Sequence, residues 1–259
     1  MKNKIGLKLF SSNIIVSSAV AELLAKGQLD YIELLALPGT FEQTIKYWQS
    51  LPVPYIIHVP HAGYGFNLSN PNLREQNIKI FVETQKFADN LKAQFMIIHP
   101  GLAGEITETI SQIQCLKDKR LMIENKPFIS LFQTRCVGSS PEEIKKITEK
   151  TGVGFCLDIV HAVKSAFANG KNHINYIKEF LSLNPQMVHL CDCKLAGCFD
   201  EHLSFGEGEI DFPIVLALFL ALKHEIYFTL ETPVESYGNL DDFKTNRLLL
   251  DKYSGVLAK

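Results

Sequence analysis

Short apolar runs, each followed by a stretch with helical spacing, recur along the whole chain. The runs at 95–98 and 121–123 contain no polar residue, which is typical of strands buried on both faces of a parallel sheet. Turn residues separate the runs, as Pro100-Gly101 does after the fourth. The pattern predicts eight strands, over residues 5–10, 31–36, 55–59, 95–99, 120–124, 153–157, 187–191 and 226–231.

Helical spacing follows the strands, and Ser140-Pro141 is a strong helix start with proline in the first turn. Eight strand–helix units in about 250 residues are the number and length typical of a (β/α)8 barrel. A doubly wound open sheet is the alternative. No linker or low-complexity tract interrupts the chain, so residues 1–259 are predicted to form a single TIM-barrel domain. The predicted helices cover 16–26, a segment through 47–48, 70–91, 105–116, a segment from 140, 174–183, 212–222 and 240–253.

Composition is that of an ordinary soluble globular protein. Hydrophobic residues make up 46% of the chain, and the formal net charge of −2 provides no global field for nucleic acid or membrane. The six cysteines are too sparse for a disulfide scaffold, and no stretch approaches the roughly 18 apolar residues of a membrane span. We therefore expect a reduced, cytoplasmic protein that does not cross a membrane. The sequence carries no signal for an oligomer interface.

Histidines and carboxylates gather where the third to eighth predicted strands end. A single histidine or carboxylate at a strand end is more often a polar group with an ordinary hydrogen-bond partner. In a barrel, however, all of these side chains would face the C-terminal rim, where the like charges of the carboxylates would repel one another. Divalent metal removes that penalty, because carboxylate oxygens and neutral imidazoles suit zinc or manganese. The candidates exceed what one tetrahedral ion needs, so two or three ions are predicted. The candidate ligands are His61, His99, Glu124, Asp158, His161, His189, Asp200, His202 and Glu231.

Segments around these residues resemble endonuclease IV, the class II apurinic/apyrimidinic endonucleases of the xylose-isomerase-like barrel superfamily. Each short motif is weak alone, but all nine positions that hold the family's three zinc ions have a matching residue type. The segments are PHAGYGFNL at 60–68, HPG at 99–101, IEN at 123–125, GFCLDIVH at 154–161, VHLCDCK at 188–194, DEH at 200–202, FGEGEI at 205–210 and LET at 230–232.

The resemblance implies a zinc-dependent hydrolase that cleaves a phosphodiester 5′ to an abasic site in DNA, with a metal-bridged hydroxide attacking phosphorus. Manganese or iron could replace zinc in part. Glu124 and Glu231 would serve catalysis as ligands, and Asp192 and Lys194 would orient ligands or a phosphate. The implied ligand sets are His61, His99 and Glu124 for the first ion; Glu124, Asp158, His189 and Glu231 for the second; and His161, Asp200 and His202 for the third.

Departures from the family fall in segments that would contact DNA. Gly65 stands where a bulky apolar residue is usual, and the loop at 35–40 has no arginine or lysine. The loop at 126–135 is bulkier and more apolar than usual, and Phe128 to Phe132 within it could form a lid or a wedge. Glu201 stands where arginine is frequent, and an acidic side chain beside a phosphate is unfavourable for binding DNA.

Two function classes therefore stay open besides a noncatalytic metal-binding barrel. The first is the DNA-repair hydrolase. The second is a sugar or sugar-phosphate isomerase or epimerase of the same superfamily, which the chain resembles in having Glu124, Asp158, His189 and Glu231 around one metal. There, Glu124 and Glu231 would act as acid and base. His61, His99 and the pair of Asp200 and His202 favour the hydrolase, because a one-metal isomerase does not need them. The apolar loop favours a small ligand.

Overall fold

Eight parallel strands close into a barrel in the computed structural model, which describes residues 3–256. Each strand pairs with the next along the chain, and β8 pairs with β1. This closure confirms the predicted (β/α)8 barrel and excludes the alternative of an open sheet. The first two and last three residues of the predicted domain lie outside the described part. The strands are β1 Lys4–Phe10, β2 Tyr31–Leu35, β3 Tyr55–His58, β4 Met96–Ile98, β5 Leu121–Glu124, β6 Gly154–Asp158, β7 Met187–Leu190 and β8 Tyr227–Leu230.

Helices surround the barrel, and their apolar faces pack on the strands. None of the helices within residues 3–256 combines the length and the apolar character needed to cross a membrane. Two short 3₁₀ helices, Ala62–Tyr64 and Pro71–Leu73, lie in the loop after β3. The α-helices of the described chain are α1 Ser17–Ala25, α2 Phe41–Ser50, α3 Arg74–Asn90, α4 Ile106–Leu116, α5 Pro141–Thr151, α6 Ile159–Ala168, α7 His173–Leu181, α8 Phe212–Phe219 and α9 Asp241–Val256.

One helix, α6, is absent from the sequence prediction. Every residue from Ile159 to Ala166 is buried, and the polar residues His161, Lys164 and Ser165 contact neighbouring loops rather than solvent. It begins directly at the end of β6, where the Asp158 side chain accepts a hydrogen bond from the His161 N–H at 2.7 Å and caps the helix. The cap holds His161 at the rim, one turn beyond the strand.

Inside the barrel, an apolar layer lies beneath a polar layer. The apolar layer is the buried cluster of Tyr31, Ile56, Ile97, Met122, Cys156 and Met187. Side chains alternate between the two faces of a strand, so residues two positions further along also point inward. The barrel is therefore packed at its base and polar towards the carboxyl ends of its strands. The polar layer is formed by the residues two positions after those of the apolar layer: Glu33, His58, His99, Glu124, Asp158 and His189.

Tyr31 connects these two layers. Its ring fills the space above Gly6, where an added Cβ would lie 2.2 Å from the ring, so a larger residue at Gly6 would displace Tyr31. The Tyr31 hydroxyl lies 2.8 Å from Thr229 Oγ1, and Thr229 donates to Glu33 Oε2 at 2.6 Å. Packing at the base of the barrel thus holds a carboxylate of the polar layer in place.

Candidate metal centre

Four overlapping groups of histidine and carboxylate side chains meet at the C-terminal rim of the barrel. Within each group, one potential ligand atom from every residue lies within 4.8 Å of the others. Eight of the nine predicted ligands belong to these groups, which also include two unpredicted residues. The groups are His58, His99 and Glu124; Glu124, Asp158 and His161; Glu33, His189 and Glu231; and His161, Asp200 and His202.

Glu124 lies at the centre of this arrangement. Its Oε2 is 3.2 Å from His58 Nε2 and 3.1 Å from His99 Nε2, and its Oε1 is 3.0 Å from His161 Nδ1. Burial alone would raise the pKa of Glu124, but His99 and His189 hold that pKa well below its usual range. The carboxylate is therefore ionised, and its two oxygens face different groups.

His189 is oriented so that one ring nitrogen is left for a ligand. Its Nε2 lies 3.0 Å from Glu33 Oε2, a carboxylate oxygen that can only accept, so Nε2 carries the proton. Its Nδ1 faces Glu231 Oε1 at 2.8 Å. Burial would lower the pKa of His189, but acidic neighbours, Cys156 and Glu231 foremost, hold that pKa well above its usual value, so a metal ion here would displace the Nδ1 proton. A carboxylate that holds the far nitrogen of a histidine is the usual support of a metal-ligating imidazole.

His161 and His202 are oriented in the same way by backbone carbonyls. His161 Nδ1 lies 2.8 Å from the Asn125 carbonyl oxygen, and His202 Nδ1 lies 2.9 Å from that of Glu231. Their Nε2 atoms both face the Asp200 carboxylate, at 3.1 and 3.3 Å. Two imidazole Nε2 atoms and a carboxylate thus converge on one point, where a metal ion would displace the imidazole protons.

Several buried polar atoms at the rim have no hydrogen-bond partner within the described residues. They include Asp158 Oδ2, His189 Nδ1 and Asp200 Oδ1. A buried carboxylate oxygen without a partner is costly, and native proteins rarely leave one so. All three atoms belong to the ligand groups. The residues present therefore fit divalent metal, which would satisfy these atoms together.

The charges of the centre also favour a bound cation. Burial raises the pKa of Asp158, and the nearby Glu231 and Glu124 raise it further against the opposing effect of His161. For His161, burial would lower the pKa, but Asp158 and Asp200 raise it to about 9. The carboxylates thus attract positive charge from any available source, and a metal ion would displace the proton.

His61 is the one predicted ligand outside the four groups. Its ring stacks on that of His99 with 6.0 Å between centroids, and its Nδ1 accepts the Gly63 N–H at 3.1 Å. Burial, followed by the charge of His58, lowers the pKa of His61 to about 4. The imidazole is thus neutral, which is the form that binds metal, and it lines the open side of the cavity.

Asp192 and Lys194, predicted to orient ligands or a phosphate, lie within the loop after β7 and outside the cavity lining. Asp192 accepts hydrogen bonds from four backbone N–H groups between residues 193 and 210, at 2.8 to 3.2 Å. Lys194 Nζ donates to the Glu207 carbonyl at 3.0 Å. Both residues therefore act on the centre through the shape of this loop.

Glu201 does not face a free phosphate site, contrary to the expectation from its sequence position. Its carboxylate accepts from the ammonium of Lys164, a side chain that is only 1% exposed, and from the Lys194 N–H at 2.8 Å. Lys164 also donates to the Lys194 carbonyl at 2.7 Å. The charge of Glu201 is thus neutralised inside the loop that carries Asp200 and His202.

Sequence reasoning misses four polar residues of the centre: Lys8, Glu33, His58 and Lys126. Lys8 forms an ion pair with Glu231 and lies 3.4 Å from Glu33. Burial would lower the pKa of Lys8, but these carboxylates hold it well above its usual value. The first three of these residues lie within strands. Because every second residue of a barrel strand faces inward, the alternation along β1 to β3 could have identified them.

A cavity of about 570 Å³ opens above the centre. On its outer side lie Leu131 and Phe132, whose exposed fractions are 69% and 62%. Their loop is held by a backbone bridge between Ile129 and Arg135. The centre is thus polar at its floor and apolar at its mouth.

The fold agrees with the comparisons to known proteins. The chain belongs to the xylose isomerase-like TIM barrel family, whose model matches residues 29–253. A curated relative, the probable endonuclease 4 of Aquifex aeolicus, is 31% identical over 70% of this chain and 71% of its own length. Two further probable endonucleases 4 are matched over only 58% of their own length.

Solved structures with the same fold include two types of enzyme. Endonuclease IV from Thermus thermophilus has a TM-score of 0.70 and 21% identity, over 97% of this chain and 99% of that one. A D-tagatose 3-epimerase-like protein has a TM-score of 0.72 and 20% identity, over 98% of both chains. At these identities the likeness shows the fold alone.

Proposed function

We propose that this protein is a metal-dependent phosphodiester hydrolase that acts, like endonuclease IV, on DNA containing an abasic site. The observation that carries the proposal is the group of His161, Asp200 and His202, which adjoins the set around Glu124 and shares His161 with it. A single-metal isomerase has no use for this additional group. Several ions around one phosphate are the usual arrangement for in-line displacement at phosphorus. The names of the curated relatives support the same reaction.

The proposed centre holds up to three ions on the nine ligands predicted from the sequence. Imidazoles with carboxylates suit zinc, and manganese or iron could occupy part of the sites. When bound, such ions polarise phosphoryl oxygens and supply a nucleophilic water near neutral pH. The protein's own part is to fix the ligands. Glu33 orients His189, the Asn125 carbonyl orients His161, and the loop held by Asp192 presents Asp200 and His202.

A reducing compartment such as the cytoplasm suits this chemistry. All six cysteines lie within residues 3–256, and there they are free thiols rather than disulfides. Cys156 and Cys191 are buried beside the centre, and burial raises the pKa of each thiol to about 12. They are therefore protonated when no metal is bound.

Incision of a labelled duplex with one abasic site tests the proposal. Zinc-loaded protein should cut the damaged strand and leave an undamaged duplex intact. Glu231→Gln removes a proposed ligand and should lower the rate by at least about 100-fold. Glu235→Gln, at an exposed position four residues away, is the matched control and should cut like the unmodified protein. No incision by fully metal-loaded protein would refute a role on abasic DNA.

One observation favours the second candidate, a sugar or sugar-phosphate isomerase or epimerase. The exposed Leu131 and Phe132 at the mouth of the cavity offer an apolar cover of the kind that encloses small ligands. In that reaction Glu124 and Glu231 would exchange a proton with the substrate carbon. Uptake of solvent deuterium into a ketose or its phosphate, in the absence of DNA incision, would select this candidate.

A further inference from the structure

Two lysine side chains enter the centre from opposite sides of the barrel. Lys8 lies on β1, and Lys126 follows β5 directly after Asn125. In a closed barrel of eight strands taken in chain order, β1 and β5 face each other. Among residues 3–255, these are the two lysines or arginines that line the cavity. Positive charge therefore flanks the ligand groups on two sides.

Each ammonium group contacts an atom that a metal ion would need. Lys8 pairs with the Glu231 carboxylate. Lys126 Nζ lies 3.1 Å from His161 Nε2, a nitrogen that also faces Asp200 Oδ2, and 3.8 Å from Glu124 Oε1. The lysines thus neutralise the ligand groups when no other cation is bound.

Metal binding would take the Glu231 carboxylate from Lys8, which keeps Glu33 at 3.4 Å, and would take the Glu124 and His161 contacts from Lys126. The two side chains are only 22% and 14% exposed, so neither ammonium can be fully solvated where it lies. A largely buried charge that loses a partner is costly, and an anion in the cavity would restore the balance. A neutral sugar supplies no such charge, whereas a phosphate ester does.

We infer that Lys8 and Lys126 are substrate-binding residues that select a phosphorylated substrate by contacting its phosphoryl oxygens from two sides. This inference rests on the proposed function in that it requires metal in the centre. It adds to that function the choice of an anionic over a neutral substrate. It also gives both lysines a role other than metal ligation.

Phosphate binding to zinc-loaded protein, measured by titration calorimetry with inorganic phosphate, tests the inference. Loss of one charged contact should weaken binding about 10- to 100-fold, so Lys8→Met and Lys126→Met should each show a loss of that size. Lys79→Met changes an exposed lysine on α3 and should bind phosphate like the unmodified protein. Elemental analysis of each sample should show the same zinc content.

Charge-retaining variants separate a contact with phosphate from a structural role. Lys8→Arg and Lys126→Arg should keep phosphate affinity within a few-fold, because each retains a donor and its charge. The inference is overturned if the methionine variants bind phosphate normally with zinc bound. It is equally overturned if the arginine variants fail as badly as the methionine variants, or if the unmodified zinc-loaded protein binds no phosphate.

The two proposals can fail separately. If abasic DNA is not cut but phosphate affinity depends on both lysines, the inference stands and the substrate is another phosphate ester. If DNA is cut and the methionine variants bind phosphate like the unmodified protein, the proposed function stands and the inference falls.

Discussion

At the scale of single residues, the histidines of the centre are directed by neighbours that can only accept a hydrogen bond. Glu33 does this for His189 from within the barrel, and the carbonyls of Asn125 and Glu231 do it for His161 and His202. In each case the contact fixes which ring nitrogen faces the carboxylates, and that nitrogen can bind a metal ion once its proton is displaced. The centre is thus preorganised for a cation by one carboxylate and two backbone carbonyls in addition to the proposed ligand atoms.

Glu33→Gln tests this indirect support. The neutral amide accepts more weakly from His189 and can also turn its NH₂ group towards it, so the ring loses its fixed orientation. We expect zinc affinity to fall about 10- to 100-fold, measured by competition with a chromophoric chelator. Glu42→Gln, at an exposed position on α2, serves as the control. Equal zinc affinity of Glu33→Gln and the control would show that His189 is oriented by packing alone.

At the scale of elements, the loop between β7 and α8 brings Asp200 and His202 to the rim. Two internal anchors shape it: the Asp192 carboxylate, which gathers backbone N–H groups, and the buried pair of Lys164 and Glu201. Lys164 projects from α6, the helix that also carries His161. One helix therefore supplies a ligand and holds the loop that supplies the other two.

Lys164→Met should loosen this loop, because it leaves the Glu201 carboxylate and the Lys194 carbonyl without their buried partner. We expect the purified variant to hold about one ion fewer per chain while the remaining ions stay bound. Elemental analysis after gel filtration measures this. Lys171→Met, which removes an exposed ion pair with Glu179, should keep the full complement. A Lys164→Met protein with unchanged metal content would refute the link between loop and ligands.

At the scale of the whole molecule, the formal net charge of −2 conceals an uneven distribution. Five carboxylates of the ligand groups are gathered at one end of the barrel, where Lys8 and Lys126 oppose them only in part. Bound divalent ions would reverse the local sign. The charge of the chain alone is therefore no argument against a phosphate substrate.

Removal of metal should destabilise the molecule as a whole. Ligand binding at about 100 times Kd contributes roughly 2.7 kcal/mol, and a protein of this size gains about 2–4 °C per kcal/mol. Chelation should therefore lower Tm by about 5–10 °C for each ion lost, as followed by calorimetry. Chelator already saturated with zinc is the control. An unchanged Tm after verified removal of metal would show that the folded barrel does not depend on these ions.

The sequence by itself determined the barrel and the end of it that carries the chemistry. Eight doubly buried apolar runs, each followed by a helical segment, predict a parallel sheet covered by helices, because local periodicity reports burial. Polar residues such as Glu124 and Asp158 follow directly after these runs, so their place at the rim could be predicted from chain order. The strands agree with the prediction to within about two residues at either end, the usual uncertainty of assigned boundaries.

Only the tertiary structure decided which side chains face one another. The contacts of Lys8, Glu33 and His58 with the ligand groups depend on how the strands close around the barrel, and no local pattern reports a contact between β1 and β8. Helix α6 packs its polar residues His161 and Lys164 against neighbouring loops, in contacts that the sequence does not report. Glu201, which was expected from its place in the sequence to oppose phosphate binding, instead pairs with Lys164 and stabilises the loop that carries Asp200 and His202. Chain order places residues at a rim, but closure of the sheet and the path of the loops set the distances between them.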